Sequence, residues 1–200
     1  AGTAEANINR RERRADGRIV LGKNHEGEVD RMIGLMRIER LDGGLVALIA
    51  NYAVHGTVLG GKNLLISGDA PGVVASYVES KLGAPMLFIN GAQGNIAPVH
   101  SVEPDFRHLD EYKKLLGDPI LAANAALRKP VRRIRLETEE VVIETPRKPG
   151  LGWTDDLAGY LKVNGDGTAN VRVPIRLLRI DKDTAIWGAP NGRVFVVGDS

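Results

Sequence analysis

Of the four histidines in this chain, His55 stands where a metal site or a proton-transfer site needs one. It lies in Asn51-Tyr52-Ala53-Val54-His55-Gly56-Thr57, directly after the apolar run Leu45-Val46-Ala47-Leu48-Ile49-Ala50. An imidazole near neutral pH serves equally as a metal ligand or a general base. The structural alternative is a histidine hydrogen-bonded at a strand end. Ile66-Ser67-Gly68-Asp69-Ala70-Pro71-Gly72 follows closely. Asp69 either caps the next helix by accepting from free backbone N–H groups, or orients His55 or a metal-bound water. A third segment, Asn90-Gly91-Ala92-Gln93-Gly94-Asn95-Ile96-Ala97-Pro98, gathers amide side chains between glycines that admit a ligand to the backbone. Asn90, Gln93 and Asn95, with Asn51, offer donors and acceptors to a substrate. His100, just behind, can bring a second imidazole, whereas His25 and His108 lie among charged residues and read as solvated. Arg10, in Asn7-Ile8-Asn9-Arg10, either supplies a guanidinium for an anionic or carbonyl oxygen or sits at a surface helix start.

These residues need a scaffold. Two hundred residues, 43% hydrophobic and 26% charged, suit one ordinary domain with a real core. Val29 to Arg40, the turn signal Asp42-Gly43-Gly44 and the apolar run to Ala50 predict a hairpin. A continuous apolar run fits a strand covered on both faces. Val73, Val74, Tyr77, Val78 and Leu82 recur at helical spacing over Pro71 to Leu82, and Gly83-Ala84-Pro85 stops that helix. Met86-Leu87-Phe88-Ile89 is the next apolar strand, so the order is βαβ with parallel strands and a right-handed crossover. A second helix is expected from about Arg107 to Leu127, with Gly117-Asp118-Pro119 as an interruption. Strands are expected over Val131 to Glu144, Val171 to Ile180 and Ala185 to Gly188; Thr145 to Asp166 reads as a Gly- and Pro-rich excursion. The fold class is therefore α/β, with a mixed, partly parallel sheet, a βαβ unit and flanking helices. In such sheets ligands bind beyond the carboxyl ends of the strands, and that rule selects the His55 loop and the Asn90–Pro98 loop together.

Composition also excludes. With no cysteine, disulfides and thiolate metal sites are ruled out. Net charge is only +2, and the clusters Arg10-Arg11-Glu12-Arg13-Arg14 and Arg132-Arg133-Ile134-Arg135 lack an aromatic platform or groove-reading motif, so nucleic acid is not a partner. A basic face docking to a membrane surface or to phosphates stays open. Gly56 to Asn63 has the wrong spacing for a phosphate loop, with Asn63 where a magnesium-binding hydroxyl belongs. No segment is long enough to span a membrane, and no signal peptide opens the chain. Both ends read as cuts, so the expectation is one domain over 1–200, incomplete at both ends.

The first half of the chain resembles the amino-terminal catalytic domain of the neutral/alkaline, non-lysosomal ceramidases. Asn7-Ile8-Asn9-Arg10 resembles an INR-type element, Asn51 to Thr57 an N-W/Y-x-x-H-G-T element, and Ile66 to Asp69 an I-S-x-D element. Gln93-Gly94-Asn95-Ile96-Ala97-Pro98 resembles an x-x-G-D-x-S/N-P element, and all four occur in the family's order. The resemblance implies a zinc amidase in which a metal-activated water attacks an N-acylated sphingoid base, and zinc is held by two histidines, a glutamate and a tyrosine. His55 matches one of those ligands. The other histidine would precede Ala1, and the tyrosine would follow Ser200. The glutamate belongs to a Pro-x-Glu-x-Phe-like turn near which Pro190-Asn191-Gly192-Arg193-Val194-Phe195 stands without one. Ala97 replaces the family's serine, and Asn95 its aspartate. The resemblance thus implies zinc, a small-molecule or lipid-like amide (or ester) substrate, and an extracytoplasmic setting. The rival reading is a non-catalytic α/β ligand-binding module that has lost its metal site.

Overall fold

The apolar run Leu45–Ala50 is the spine of a four-stranded sheet. It lies in β5 (Leu45–Tyr52), which pairs antiparallel with β4 (Met32–Glu39) on one side and parallel with β6 (Met86–Asn90) on the other. Short β1 (Gly2–Thr3) adds to β4, giving the order β1-β4-β5-β6. The β4–β5 turn and the β5-α1-β6 unit follow the sequence expectation, with Leu48 opposite Met86 and Tyr52 opposite Asn90. The computed structural model describes residues 1–102, 105–128, 130–147, 159–182 and 184–189, with the backbone of 193–198. The chain divides into two compact units, 1–133 and 134–200.

In the first unit α1 (Asp69–Leu82) crosses from β5 to β6 and buries Ala70, Val74 and Val78. It begins two residues before Pro71, whose missing N–H falls in the first turn, where donors have no helical partner anyway. Gly83, at φ 65°, takes the left-handed C-cap and donates to Glu79 O. Tyr52, Leu48, Ile33, Val54, Val74 and Val78 pack with Tyr112, Leu116 and Ile120 from the second helical region. Each buried aliphatic or aromatic side chain here contributes roughly 1.5–3 kcal/mol.

That helical region is not one helix over Arg107–Leu127. It is α2 (Phe106–Tyr112), a π-helical turn over Lys113–Gly117, and α3 (Asp118–Ala125). Pro119 supplies the cause: its missing N–H and its ring force a break in the 3.6-residue ladder, and the widened turn carries the chain across.

Arg10 lies on a strand, not at a helix start. β2 (Asn7–Arg13) is the centre of a three-stranded antiparallel sheet, β3-β2-β7, flanked by β3 (Ile19–Asn24) and β7 (Ile96–Pro98). The two flanking ladders hold Asn7–Arg13 extended despite its charge.

The second unit is an antiparallel sheet of β8 (Glu137–Pro146), β9 (Leu161–Val163), β10 (Ala169–Arg179), β11 (Thr184–Ala189) and β12 (Arg193–Gly198). β8 starts at Glu137 rather than Val131, because its partner ends at Arg179, opposite Glu137; residues 131–136 have no ladder to join. Of the Pro190–Phe195 turn, residues 190–192 lie outside the described residues, as does 148–158 of the Thr145–Asp166 excursion. Among the described residues no helix is long and apolar enough to cross a membrane.

Candidate functional site

β5 ends at Tyr52, and His55, half-buried, follows in a loop fastened by three other segments. From β2, Asn7 Nδ2 donates to Ala53 O at 2.8 Å and to Asp30 O at 2.7 Å. From the end of β6, Asn90 acts like a strand neighbour: its Oδ1 accepts from Val54 N at 3.1 Å and its Nδ2 donates to Val54 O at 2.7 Å. From the start of α1, Asp69 accepts from Val58 N at 2.9 Å and Leu59 N at 3.1 Å. The backbone on both sides of His55 is therefore pinned by buried or partly buried side chains.

Asp69 is not the helix cap; Gly68 occupies that position and makes no side-chain cap bond. Asp69 is the first helical residue, with φ at 51°, and a third N–H, that of Ala70, reaches its carboxylate at 2.8 Å. Asp tolerates the left-handed region better than most side chains, and the strain persists because three backbone bonds fix the carboxylate. Gly56 packs beside it: a Cβ there would meet Asp69 Cβ at 3.4 Å.

Arg10 and Asn95 meet on the turn after β6. Arg10 N donates to Asn95 O at 2.8 Å, and its Nε and Nη2 donate to Gly94 O at 3.3 and 3.0 Å. Arg11 Nη2 shares that carbonyl at 3.1 Å. Desolvation, then the neighbouring Arg11 charge, pulls the Arg10 pKa below its ordinary value. The ladder register shifts between Asn9 and Arg11, which turns Arg10 toward this turn. Asn95 is exposed, whereas Gln93 Oε1 is buried and makes no hydrogen bond among the described residues. Asn51 Nδ2 donates to Ile89 O at 3.1 Å. Ala97 is buried in β7 opposite Ile8.

Zinc in a hydrolytic centre takes three protein ligands and an open position. Among the described residues, His55 belongs to no group of three or more His, Asp or Glu side chains with converging ligand atoms. The described residues around His55 therefore do not complete a zinc centre.

Such a group does form elsewhere: His100, His108 and Glu111, with ligand atoms all within 4.8 Å of one another. His100 Nε2 lies 2.9 Å from Glu111 Oε2, and His108 Nδ1 3.6 Å from Glu111 Oε1. The two imidazoles stack with centroids 4.6 Å apart. Sequence reasoning singled out His100, passed over His108 as solvated and did not consider Glu111. The i, i+3 spacing of His108 and Glu111 was the available signal.

A surface depression in the first unit is lined by Gly68, Val73, Tyr77 and Lys113, among others, and one in the second unit by Thr138, Glu140, Arg176 and Ile186, among others.

No protein-family model matches the sequence, and no curated protein matches it. Solved structures do match by fold. A neutral ceramidase from Pseudomonas aeruginosa superposes with a TM-score of 0.60 at 17% identity, over 90% of this chain and 37% of the ceramidase. A ceramidase complexed with C2 gives 0.58 at 16% identity, over 90% and 39%. The chain spans less than two fifths of the length of these two structures. About 90% of this chain therefore shares an α/β fold with part of these ceramidases.

Proposed function

We propose that this chain forms one wall of the site of a ceramidase-like, zinc-dependent hydrolase that cleaves a lipid-like amide, or the corresponding ester. The observation that carries this reading is the convergence of Asn7, Asp69 and Asn90 on the His55 loop, at the carboxyl end of a parallel strand. His55 takes one ligand position. Gln93 Oε1, a buried acceptor without a partner among the described residues, suits a substrate N–H or hydroxyl. Arg10, on β2, is bonded to the turn that carries Asn95, and the two hold the substrate oxygen. Asn51 lines the same strand end. Asp69 and Asn90 act through the loop backbone at Val54, Val58 and Leu59 as positioning residues. In this reading residues 1–200 fall within one catalytic domain.

Leu64, Leu65 and Ile66 support a lipid-like substrate or a membrane surface. They stand 94%, 67% and 107% exposed in the loop from β5 to α1, an apolar tip suited to an acyl chain. The family resemblance adds an extracytoplasmic setting.

The test is hydrolysis of an N-acyl sphingoid base by the full-length protein, with and without chelator. Chelator-sensitive hydrolysis, with kcat/KM lowered about a hundredfold or more by His55→Ala, is expected. Hydrolysis indifferent to both, or none at all, overturns the reading. A non-catalytic binding module is the second reading, favoured by Ala97, which puts a methyl where the family places a hydroxyl. Ligand stabilisation unaffected by chelator, without turnover, would select it.

A further inference from the structure

We propose that His100, His108 and Glu111 form a second site for a divalent transition-metal ion, with zinc the preferred occupant, distinct from His55. The donor set decides the class. Two imidazoles and one carboxylate suit zinc and its neighbours, whereas calcium and magnesium require oxygen donors throughout.

The framework is already assembled. Ala6 O accepts from Val99 N at 3.2 Å and from Tyr112 Oη at 3.1 Å. The residue before His100 and the residue after Glu111 are thus fastened to one carbonyl oxygen of the buried Ala6. His108 and Glu111 lie one turn apart on α2, whose start is capped by Asp105 accepting from Arg107 N at 2.8 Å. Tyr112 meets the His100 ring edge-on at 6.4 Å. Backbone positions are therefore set, while the three side chains, 29–50% exposed, keep room to re-aim.

Tetrahedral zinc, at about 2.0–2.1 Å from each nitrogen, places neighbouring donor atoms roughly 3.3 Å apart. The separations here, 2.9 and 3.6 Å to the two Glu111 oxygens with none above 4.8 Å, bracket that value. Stacked rings aim their nitrogens side by side, so an incoming ion must fan them apart. Both imidazoles must bind in the neutral form, which makes occupancy fall with acidification. Three protein ligands leave one position for water or an exogenous donor.

The experiment titrates zinc alone into the full-length protein carrying His55→Ala, by calorimetry, near neutral pH and at about pH 5. This background separates the site from the functional reading of His55, whose failure would leave the result untouched. One equivalent is expected near neutral pH, weakened more than tenfold at about pH 5 and by about a hundredfold or more in His108→Ala and Glu111→Gln. In parallel, His100 and His108 ring resonances should move on zinc addition. Glu111→Gln keeps the side chain's shape, and circular dichroism of each variant reports folding. Should His108→Ala fail to fold, Glu111→Gln and the ring resonances decide. No zinc uptake by the His55→Ala protein, or uptake unchanged in folded His108→Ala and Glu111→Gln, overturns the proposal.

Discussion

The Asp69 carboxylate accepts the N–H of Val58 at 2.9 Å, and with Leu59 N at 3.1 Å it ties the first residue of α1 to the loop that carries His55. Asp69 is buried and sits at φ 51°, so local sterics and the loop's hydrogen bonds oppose one another at a single residue. Asp69→Ala strands the N–H groups of Val58, Leu59 and Ala70 and leaves a Cβ in the left-handed region; about 3 kcal/mol or more of stability should be lost in urea unfolding. Asp69→Gly removes the strain but not the loss of the acceptor, so about 1–3 kcal/mol of destabilisation should remain. A neutral Asp69→Gly would show that the carboxylate does not hold the loop.

Asn90 pins the other side of His55. Asn90→Ala leaves Val54 N and O without their side-chain partner and should cost about 1–3 kcal/mol. Amide exchange should accelerate at Val54 well before it does at Leu48 in the core of β5. Unchanged protection at Val54 would contradict the pinning.

Acid should loosen the start of α2. Arg107 hydrogen-bonds the Asp105 carboxylate at 2.6 and 2.9 Å and holds its pKa at about 2, below the ordinary 3.8. A depressed carboxyl pKa stabilises the fold above the unfolded value, and that contribution disappears as pH falls through about 2. Arg107 is exposed and Asp105 partly so, and salt should weaken the pair. NMR titration of Asp105 should give a midpoint near 2 that rises toward 3.8 in Arg107→Ala. Identical midpoints in both proteins would exclude the pair as the cause.

Alkali should find Tyr52 and Tyr112 late. Burial raises both pKa values well above the ordinary 10. Each phenol is stabilised as the neutral form, a contribution complete below about 10 and lost as pH climbs toward the folded value. Ultraviolet titration should show these two phenolates appearing only with unfolding. Tyr52→Phe, which frees Ala6 N and Ala4 O, should destabilise by about 1–3 kcal/mol.

How much of this was legible depended on the kind of signal. β5, α1 and β6 announce themselves because continuous apolar runs and the Gly83 stop are local. β2 did not: Arg10, Arg11, Glu12 and Arg13 mask the strand, which exists because β3 and β7 flank it. The loop pairing of His55 with Asn90 follows from parallel strands, whereas Asn90's bonds to Val54, 36 residues away, leave no local signal. Asp69 looked like a cap because an acidic residue before Ala-Pro usually is one. Glu111 was invisible as a partner of His100 because the Ala6 carbonyl, far off in sequence, brings them together.

The central claim is that His55 is a metal ligand held in place by Asn7, Asp69 and Asn90. Its most direct test is the zinc content of the full-length protein by native mass spectrometry, in a His108→Ala background that removes the second site. One zinc per chain should be found there, and none after His55→Ala is added. Zinc content unchanged by His55→Ala, or no zinc before it, would contradict the account.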